Sequence, residues 1–218
     1  LRGIDLTLFE NEITTLLGEN GAGKTTTLNC LAGILKPSAY GMQSSNRKDK
    51  EPQRGSGCAS TTYCEQTDNL YSELTVREQL RFIAKLRSVE FLYADLLKDL
   101  NVPPEIESRR CCELSGGWRR VISCASAFLG NPRFVILDEP TAGMDPHNRR
   151  LFQKFLLKRK QGRCVLLTTH LMDEAEVVSD KVAILKYGVI KTCGSVDYLK
   201  TIFGTGFSMQ LQMRERKR

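Results

Sequence analysis

Histidine and tryptophan are nearly missing from this chain, whose 218 residues hold two His and one Trp. The eight cysteines, at 30, 58, 64, 111, 112, 124, 164 and 193, include no CxxC pair. With so little imidazole to complete a ligand set, that spacing argues against a zinc site. Free thiols are the expectation, as in a reducing cytosol. Long apolar runs are lacking too. None comes near the ~20 residues that cross a bilayer, and no basic, apolar and small-residue succession at the start marks a signal peptide. Neither insertion nor secretion of this stretch is expected. The composition also lacks the signature of disorder, with 41% apolar and 26% charged residues, and the length suits one core rather than two. A single domain over residues 1–218 is expected. The chain opens at Leu1 rather than Met, already inside the alternating run Ile4, Leu6, Leu8, and so reads as a fragment of a longer protein.

Acidic residues are the minority, 25 against 32 Lys plus Arg, for a formal charge of +7. Such a balance suits nucleic acid, an anionic membrane surface or a phosphate ligand, and does not choose between them. Part of the excess lies in the tail Arg214, Arg216, Lys217, Arg218 and around Arg47, Lys48 and Lys50, runs that read as solvated.

What is present is a succession of short strands and helices. Ile4 to Phe9 alternates like a strand, Glu10 and Asn11 make a turn, and Ile13 to Leu17 is an apolar run ending at Gly18. Leu28, Leu31, Ile34 and Leu35 predict a helix over 24–35, closed by Pro37. From Ser38 to Thr61 the pattern is lost, and an irregular insertion is expected. Thr75 and Glu78 form a capping box ahead of the stripe Val76, Leu80, Ile83, opening a helical subdomain over about 67–130. Pro103 and Pro104 interrupt it, and a helix over 118–129 follows Ser115, Gly116 and Gly117. Phe134 to Leu137 and Cys164 to Leu167 read as buried parallel strands, with a helix over 146–160 between them. Val182 to Leu185 and Val189 to Ile190 flank Tyr187 and Gly188 as a hairpin, and a short helix spans 196–202. No internal repeat is found.

Three sites carry chemistry. Gly18, Glu19, Asn20, Gly21, Ala22, Gly23, Lys24 and Thr25 match the phosphate-binding loop GxxxxGK(S/T), placed between a strand and a helix as that loop requires. Its glycines let backbone N–H groups curl around phosphate oxygens, Lys24 reaches the terminal phosphates, and the Thr25 hydroxyl can ligate magnesium. In the second site the apolar strand ending at Leu137 delivers Asp138 and Glu139 to the carboxyl edge of the sheet, Asp138 for magnesium and Glu139 as general base for an attacking water. In the third, Leu114, Ser115, Gly116, Gly117 cap a helix with bare N–H groups that suit an anion. His170, following the strand that begins at Cys164, reaches the same edge and can donate to a phosphate oxygen.

The order of phosphate loop, LSGG, ILDEP and a later TTH resembles the nucleotide-binding domain of ABC transporters. The resemblance covers most of the chain and extends to Gln66 in YCEQ as the family's Q-loop glutamine and to Met144, Asp145, Pro146 as its D-loop. It implies an α/β fold: a phosphate-loop NTPase core with a mostly parallel sheet, an antiparallel β part and a helical subdomain. It also implies ATP and Mg²⁺ as ligands, with Thr26 beside Thr25 at the nucleotide and Thr25, Gln66 and Asp138 at the metal. Catalysis falls to Glu139, His170 and Gln66. In the family two such domains sandwich two ATP molecules head to tail, so Ser115, Gly116, Gly117 and Asp145 serve nucleotide across the interface. The further partners implied are transmembrane domains, with this domain on the cytoplasmic face of a membrane and no nucleic acid expected. LLGENGAGKTTTLNCLAGIL, LTTHLMDEAEVVSDKVAILKYGVIKTCGS and LKTIFGTGF resemble subfamily A, whose members mostly move lipids.

The sequence departs from the family pattern in places. Trp118 stands where glutamine or methionine is usual, and a ring at a dimer face can stack or clash. The aromatic residue that stacks on adenine belongs further upstream than the 17 residues before Gly18 allow. On these grounds a divergent domain that does not hydrolyse nucleotide stays open as an alternative, and the positive charge, as a binding surface, leaves open a soluble ABC ATPase acting on ribosome or nucleic acid.

Overall fold

The computed structural model describes residues 1–36, 61–90 and 93–203. Strand β1 (Ile13–Leu17) runs into the loop 18–23 and helix α1 (Lys24–Leu31). Strand β2 (Thr61–Cys64) precedes helices α2 (Val76–Leu86), α3 (Tyr93–Asp99), α4 (Pro104–Ser108) and α5 (Gly116–Ser126), with a 3₁₀ turn over Cys111–Glu113. The remainder alternates: β3 (Phe134–Leu137), α6 (Pro146–Arg159), β4 (Cys164–Thr169), α7 (Met172–Val178), β5 (Lys181–Lys186), β6 (Val189–Gly194) and α8 (Val196–Phe203).

The strands form one six-stranded sheet in the order β2-β3-β4-β1-β5-β6, parallel except for the β5–β6 hairpin. Residues 135–137 of β3 and 165–169 of β4 are all buried, as expected of parallel strands covered on both faces. On one face Leu80, Val121, Ile122, Phe152 and Phe155 pack the larger core, where Phe128 meets Phe155 edge to face at 5.0 Å. On the other, Leu16, Leu28, Ile136, Leu166 and Leu185 bury the apolar side of α1. Register aligns the strand ends: Cys64 pairs with Leu137, Leu137 with Leu167, and Leu17 with Thr169. The residues after β1, β2, β3 and β4 therefore emerge along one carboxyl edge, the side on which open α/β sheets bind ligands.

The structure corrects several expectations. Residues 1–9 form no strand. Ile4, Leu6 and Leu8 lie half-buried against the α1-side core, so their alternation reports one-sided packing without a hydrogen-bonded ladder. Helix α1 stops at Leu31 rather than Leu35 because Gly33, at φ +76°, turns the chain out of it. Gly33 N–H donates to the Cys30 carbonyl and Ile34 N–H to that of Asn29, the paired bonds of a Schellman ending. Strand β2 begins at Thr61, where the sequence pattern places the end of the irregular insertion; the rest of that span, 38–60, lies outside the described residues. Helices α2 and α5 fall close to where helices are expected, and the Thr75–Glu78 capping box is present in both directions. Helix α3 has no individual counterpart in the sequence pattern, and α4 starts at Pro104, where an interruption is expected, because proline suits the first turn of a helix. Helix α5 starts at Gly116, two residues earlier than the expected 118–129, because Ser115 caps it. Helix α7 has no counterpart in the sequence pattern. Among the described residues no helix is long and apolar enough to cross a membrane.

Candidate functional site

The loop after β1 is held by backbone geometry that only its glycines allow. A Cβ at Gly18 would stand 2.6 Å from the Leu185 carbonyl oxygen, and Gly23 caps α1 at φ +106°, in the left-handed region that side chains disfavour. Gly18 N–H donates to the Thr169 carbonyl at 3.3 Å, tying the loop to β4. Lys24, 6% exposed, folds back over the loop. Its Nζ donates to the carbonyls of Gly18 at 2.7 Å and Glu19 at 3.3 Å and pairs with Glu139 Oε1 at 3.2 Å. The cation thus has an anionic partner at hand, held by a single ion pair that an incoming phosphate can replace.

Asp138 and Glu139 leave β3 side by side and are 1% and 7% exposed. Thr168 on β4 connects them: its hydroxyl donates to Asp138 Oδ1 at 2.5 Å and accepts the Glu139 N–H at 2.9 Å. Asp138 Oδ2 is buried without a protein partner. A desolvated carboxylate oxygen left open in this way is costly unless a cation meets it. Glu139 takes a left-handed φ of 45°, which sends its carboxylate toward the loop. One oxygen faces Lys24, and the other lies 2.9 Å from Nδ1 of His170, whose side chain is about half exposed. Tyr63 on β2 has its phenol pushed upward by burial first and by the Asp138 carboxylate next.

A cleft of about 190 Å³ opens over this group, lined by Glu19, Asn20, Gly21, Gly23, Lys24, Thr25, Thr26, Gln66 and Glu139. Lys24 is buried while Thr25 and Thr26 are exposed at the start of α1, where bare N–H groups and the helix dipole favour an anion. The residue set fits a magnesium ion as well as a phosphate chain: the open oxygen of Asp138, the exposed Thr25 hydroxyl and the Gln66 amide are hard oxygen donors.

Ser115, Gly116, Gly117 and Asp145 do not line this cleft. Ser115 caps α5, accepting from Trp118 N–H at 3.4 Å, and Asp145 caps α6, accepting from His147 and Asn148 N–H at 3.0 Å each. Bonds from the Asn148 backbone, above all, hold the Asp145 carboxyl below the usual carboxylate range. The two caps meet at Gly117, where a Cβ would lie 2.7 Å from both Asp145 Oδ2 and Asn148 Nδ2. Trp118 is partly buried and packs on the larger core, its structural role.

Sequence reasoning misses three residues. Arg120, 3% exposed, reaches across the base of the site. It donates to the carbonyls of Asp138 at 2.7 Å, Glu139 at 3.0 Å, Pro140 at 3.1 Å and Glu65 at 2.8 Å, and pairs with Asp68 at 3.3 Å. It therefore fixes the backbone of both acids and of the segment leading to Gln66. Thr168 stands out in the sequence only as a neighbour of His170. Glu174 on α7 accepts from Thr141 at 2.5 Å and Thr169 at 3.0 Å and pairs with Arg149 at 3.2 Å, tying the turns after β3 and β4 together. None of the three has a sequence signal beyond being a polar residue near a motif.

A family model described as ABC transporter matches residues 1–142. The chain is 39% identical to ATP-binding cassette sub-family A member 2 of Rattus norvegicus over 98% of its own length and 9% of that protein's. It is also 39% identical to the retinal-specific phospholipid-transporting ATPase ABCA4 of Mus musculus, over 95% of this chain and 9% of that one. It thus spans about a tenth of these curated relatives. Among solved structures it resembles an ATP binding subunit of an ABC transporter at 28% identity and a TM-score of 0.76, covering 91% of this chain and 85% of that one. The dimeric bacterial ABC transporter cassette MJ0796 shares the fold, with a TM-score of 0.76 at 21% identity over 90% of each chain.

Proposed function

The chain belongs to the ABC transporter family, and we propose that it binds and hydrolyses ATP in the cleft above β1 and β3 to drive transport, of lipid, by transmembrane segments of the same assembly. The observation that carries this reading is the position of Glu139, with its carboxylate between Lys24 and His170 at the mouth of the phosphate loop. An entering phosphate chain takes Lys24 as its partner and receives the loop N–H groups. Glu139, released from the ion pair, then accepts a proton from a water as that water's oxygen attacks the terminal phosphorus. The bond from that phosphorus to the bridging oxygen breaks, and ADP and phosphate leave. His170 holds the second oxygen of Glu139, fixing its orientation, and its other ring nitrogen is free to face the phosphate. Thr25, Asp138 and Gln66 would hold Mg²⁺, which supplies charge neutralisation at the phosphates.

Ser115, Gly116 and Gly117 lie outside the cleft yet start a helix with free N–H groups, which supports their use on the nucleotide of a second ATPase domain packed head to tail. Asp145, against Gly117, links the two ends of such a sandwich. Closure on ATP and reopening after hydrolysis would then move the attached transmembrane domains, with this domain on the cytoplasmic face. No residue here reads the adenine base, so the preference for ATP rests on the family. The lipid substrate rests on the likeness to sub-family A.

The test is phosphate release by the full-length protein with MgATP. Glu139→Gln keeps the size of the side chain and removes the base, and is expected to slow release by roughly 10²-fold or more with nucleotide binding retained. Release by that variant at the wild-type rate would overturn the assignment.

A further inference from the structure

Two thiols outside the nucleotide cleft touch each other. Cys64 closes β2, Cys124 lies within α5, and their sulfurs stand 3.7 Å apart with the residues 7% and 0% exposed. The Cys64 sulfur is also 3.6 Å from the Glu65 carbonyl and 3.9 Å from Ser123 Oγ, and the Cys124 thiol donates to the Pro140 carbonyl at 3.5 Å. That carbonyl is shared with Arg120, so the pair sits beside the guanidinium that fixes both acids of the site. A disulfide needs about 2.05 Å between sulfurs. The gap left to close is of the order of 1.7 Å.

Reach differs between the two sulfurs. Cys64 ends a strand that, among the described residues, lies at the sheet edge and pairs only with β3, and Glu65, Gln66 and Thr67 after it are all exposed. Opening of that short segment uncovers Cys64 while Cys124 stays inside the helix layer.

We propose that Cys64 and Cys124 form a reversible disulfide site that a hydroperoxide closes and a dithiol reopens. The Cys64 sulfur attacks one peroxide oxygen and the O–O bond breaks; the leaving oxygen takes the Cys64 thiol proton and departs as water, or as an alcohol from an organic hydroperoxide, leaving Cys64 as a sulfenic acid. The Cys124 sulfur then attacks Cys64 sulfur, the S–O bond breaks, and the departing oxygen leaves as water with the Cys124 proton. With hydrogen peroxide, two thiols and one peroxide give one disulfide and two waters. A reducing dithiol reverses this by exchange and is itself oxidised to its disulfide.

The consequence for activity rests on the hydrolytic reading of the cleft. Cys64 stands two residues before Gln66, and Cys124 belongs to the helix that Ser115, Gly116 and Gly117 open. The disulfide would tether the segment carrying one contact to the cleft to the helix presenting the others. Closure and reopening around nucleotide require these parts to move, so the oxidised protein hydrolyses ATP more slowly.

The experiment treats full-length protein with hydrogen peroxide, blocks remaining thiols with an alkylating reagent, digests, and identifies linked peptides by mass spectrometry. A peptide pair joined through Cys64 and Cys124 is expected, lost on reduction and absent from Cys64→Ser and Cys124→Ser but retained in Cys112→Ser. Oxidation of the exposed Cys112 with Cys64 and Cys124 both recovered as alkylated thiols would overturn the proposal. Phosphate release should fall on oxidation, recover with dithiothreitol, and stay unchanged in Cys124→Ser. Equal release by linked and reduced protein would overturn the regulatory role. A reduced protein that releases no phosphate would instead remove the hydrolytic reading, leaving the linked peptide as its own result.

Discussion

Arg120 illustrates what a single residue contributes to this site. Its guanidinium lies on four carbonyl oxygens and the Asp68 carboxylate, almost without solvent. A buried cation is tolerated only when so fully met, and removing it leaves those acceptors unpaired in the interior. Arg120→Ala is expected to destabilise the fold by about 3–5 kcal/mol, read as a fall in the urea midpoint. Arg120→Lys, with a point charge in place of a fork, should recover only part of the loss. A midpoint for the alanine variant equal to the wild type would show the network to be dispensable. From the sequence, Arg119 and Arg120 are an adjacent pair in a helix, and nothing local says which of them turns inward. Lys24, Asp138 and Glu139, by contrast, are announced by their neighbours, because a glycine loop and an apolar strand leave few other uses for a lysine or a pair of acids.

Among the elements, the helix starts are the most readable. The Thr75 hydroxyl accepts from Glu78 N–H, and the Glu78 carboxylate accepts from Thr75 N–H at 2.9 Å. Thr75→Ala is expected to cost about 1 kcal/mol, measured as a shift in the urea midpoint. The Glu78 carboxyl is held below its ordinary value chiefly by the Thr75 backbone N–H and hydroxyl. Because its folded-state pKa is the lower one, this contribution is fully present above the ordinary carboxylate range and is lost as pH falls through the folded value. The urea midpoints of wild type and Glu78→Gln should therefore converge as pH falls below the ordinary carboxylate range, where Glu78 is protonated. A difference that persists undiminished in acid would show that the charge of Glu78 is not its source. Strands are less readable at the chain start, where Ile4, Leu6 and Leu8 alternate without a ladder, since period two records one-sided burial rather than pairing. Helix α7, seven residues long, is too short to display a period of its own.

For the molecule as a whole, the cleft holds only part of the chemistry that the motifs carry. Phosphate loop, acids, Gln66 and His170 gather at one sheet edge, whereas Ser115, Gly116, Gly117 and Asp145 face elsewhere. If those residues act on a partner's nucleotide, Ser115→Ala should leave ATP binding by the domain close to wild type and lower phosphate release by the full-length protein roughly 10-fold or more. Its stability should change little, because the cap bond to Trp118 N–H is long at 3.4 Å. Equal losses in binding and hydrolysis would place Ser115 on its own nucleotide and remove the argument for a sandwich.

The sequence determined the local chemistry: a loop of glycines ending in Lys24, two acids after a buried strand, a serine cap before two glycines, and a capping box at Thr75. These arise from backbone freedom, periodicity and capping, which act over a few residues. Tertiary structure decided what spans the chain. Parallel register set Cys64 beside Leu137 and Leu137 beside Leu167, so that Gln66, Glu139 and His170 converge although 104 positions separate the first from the last. The packing of α5 on the sheet turned Arg120 inward onto both acids and brought Cys124 against Cys64. Contacts of this kind depend on strand order and on which helix face meets the sheet, quantities fixed by burying the whole core at once and carried by no short stretch of sequence.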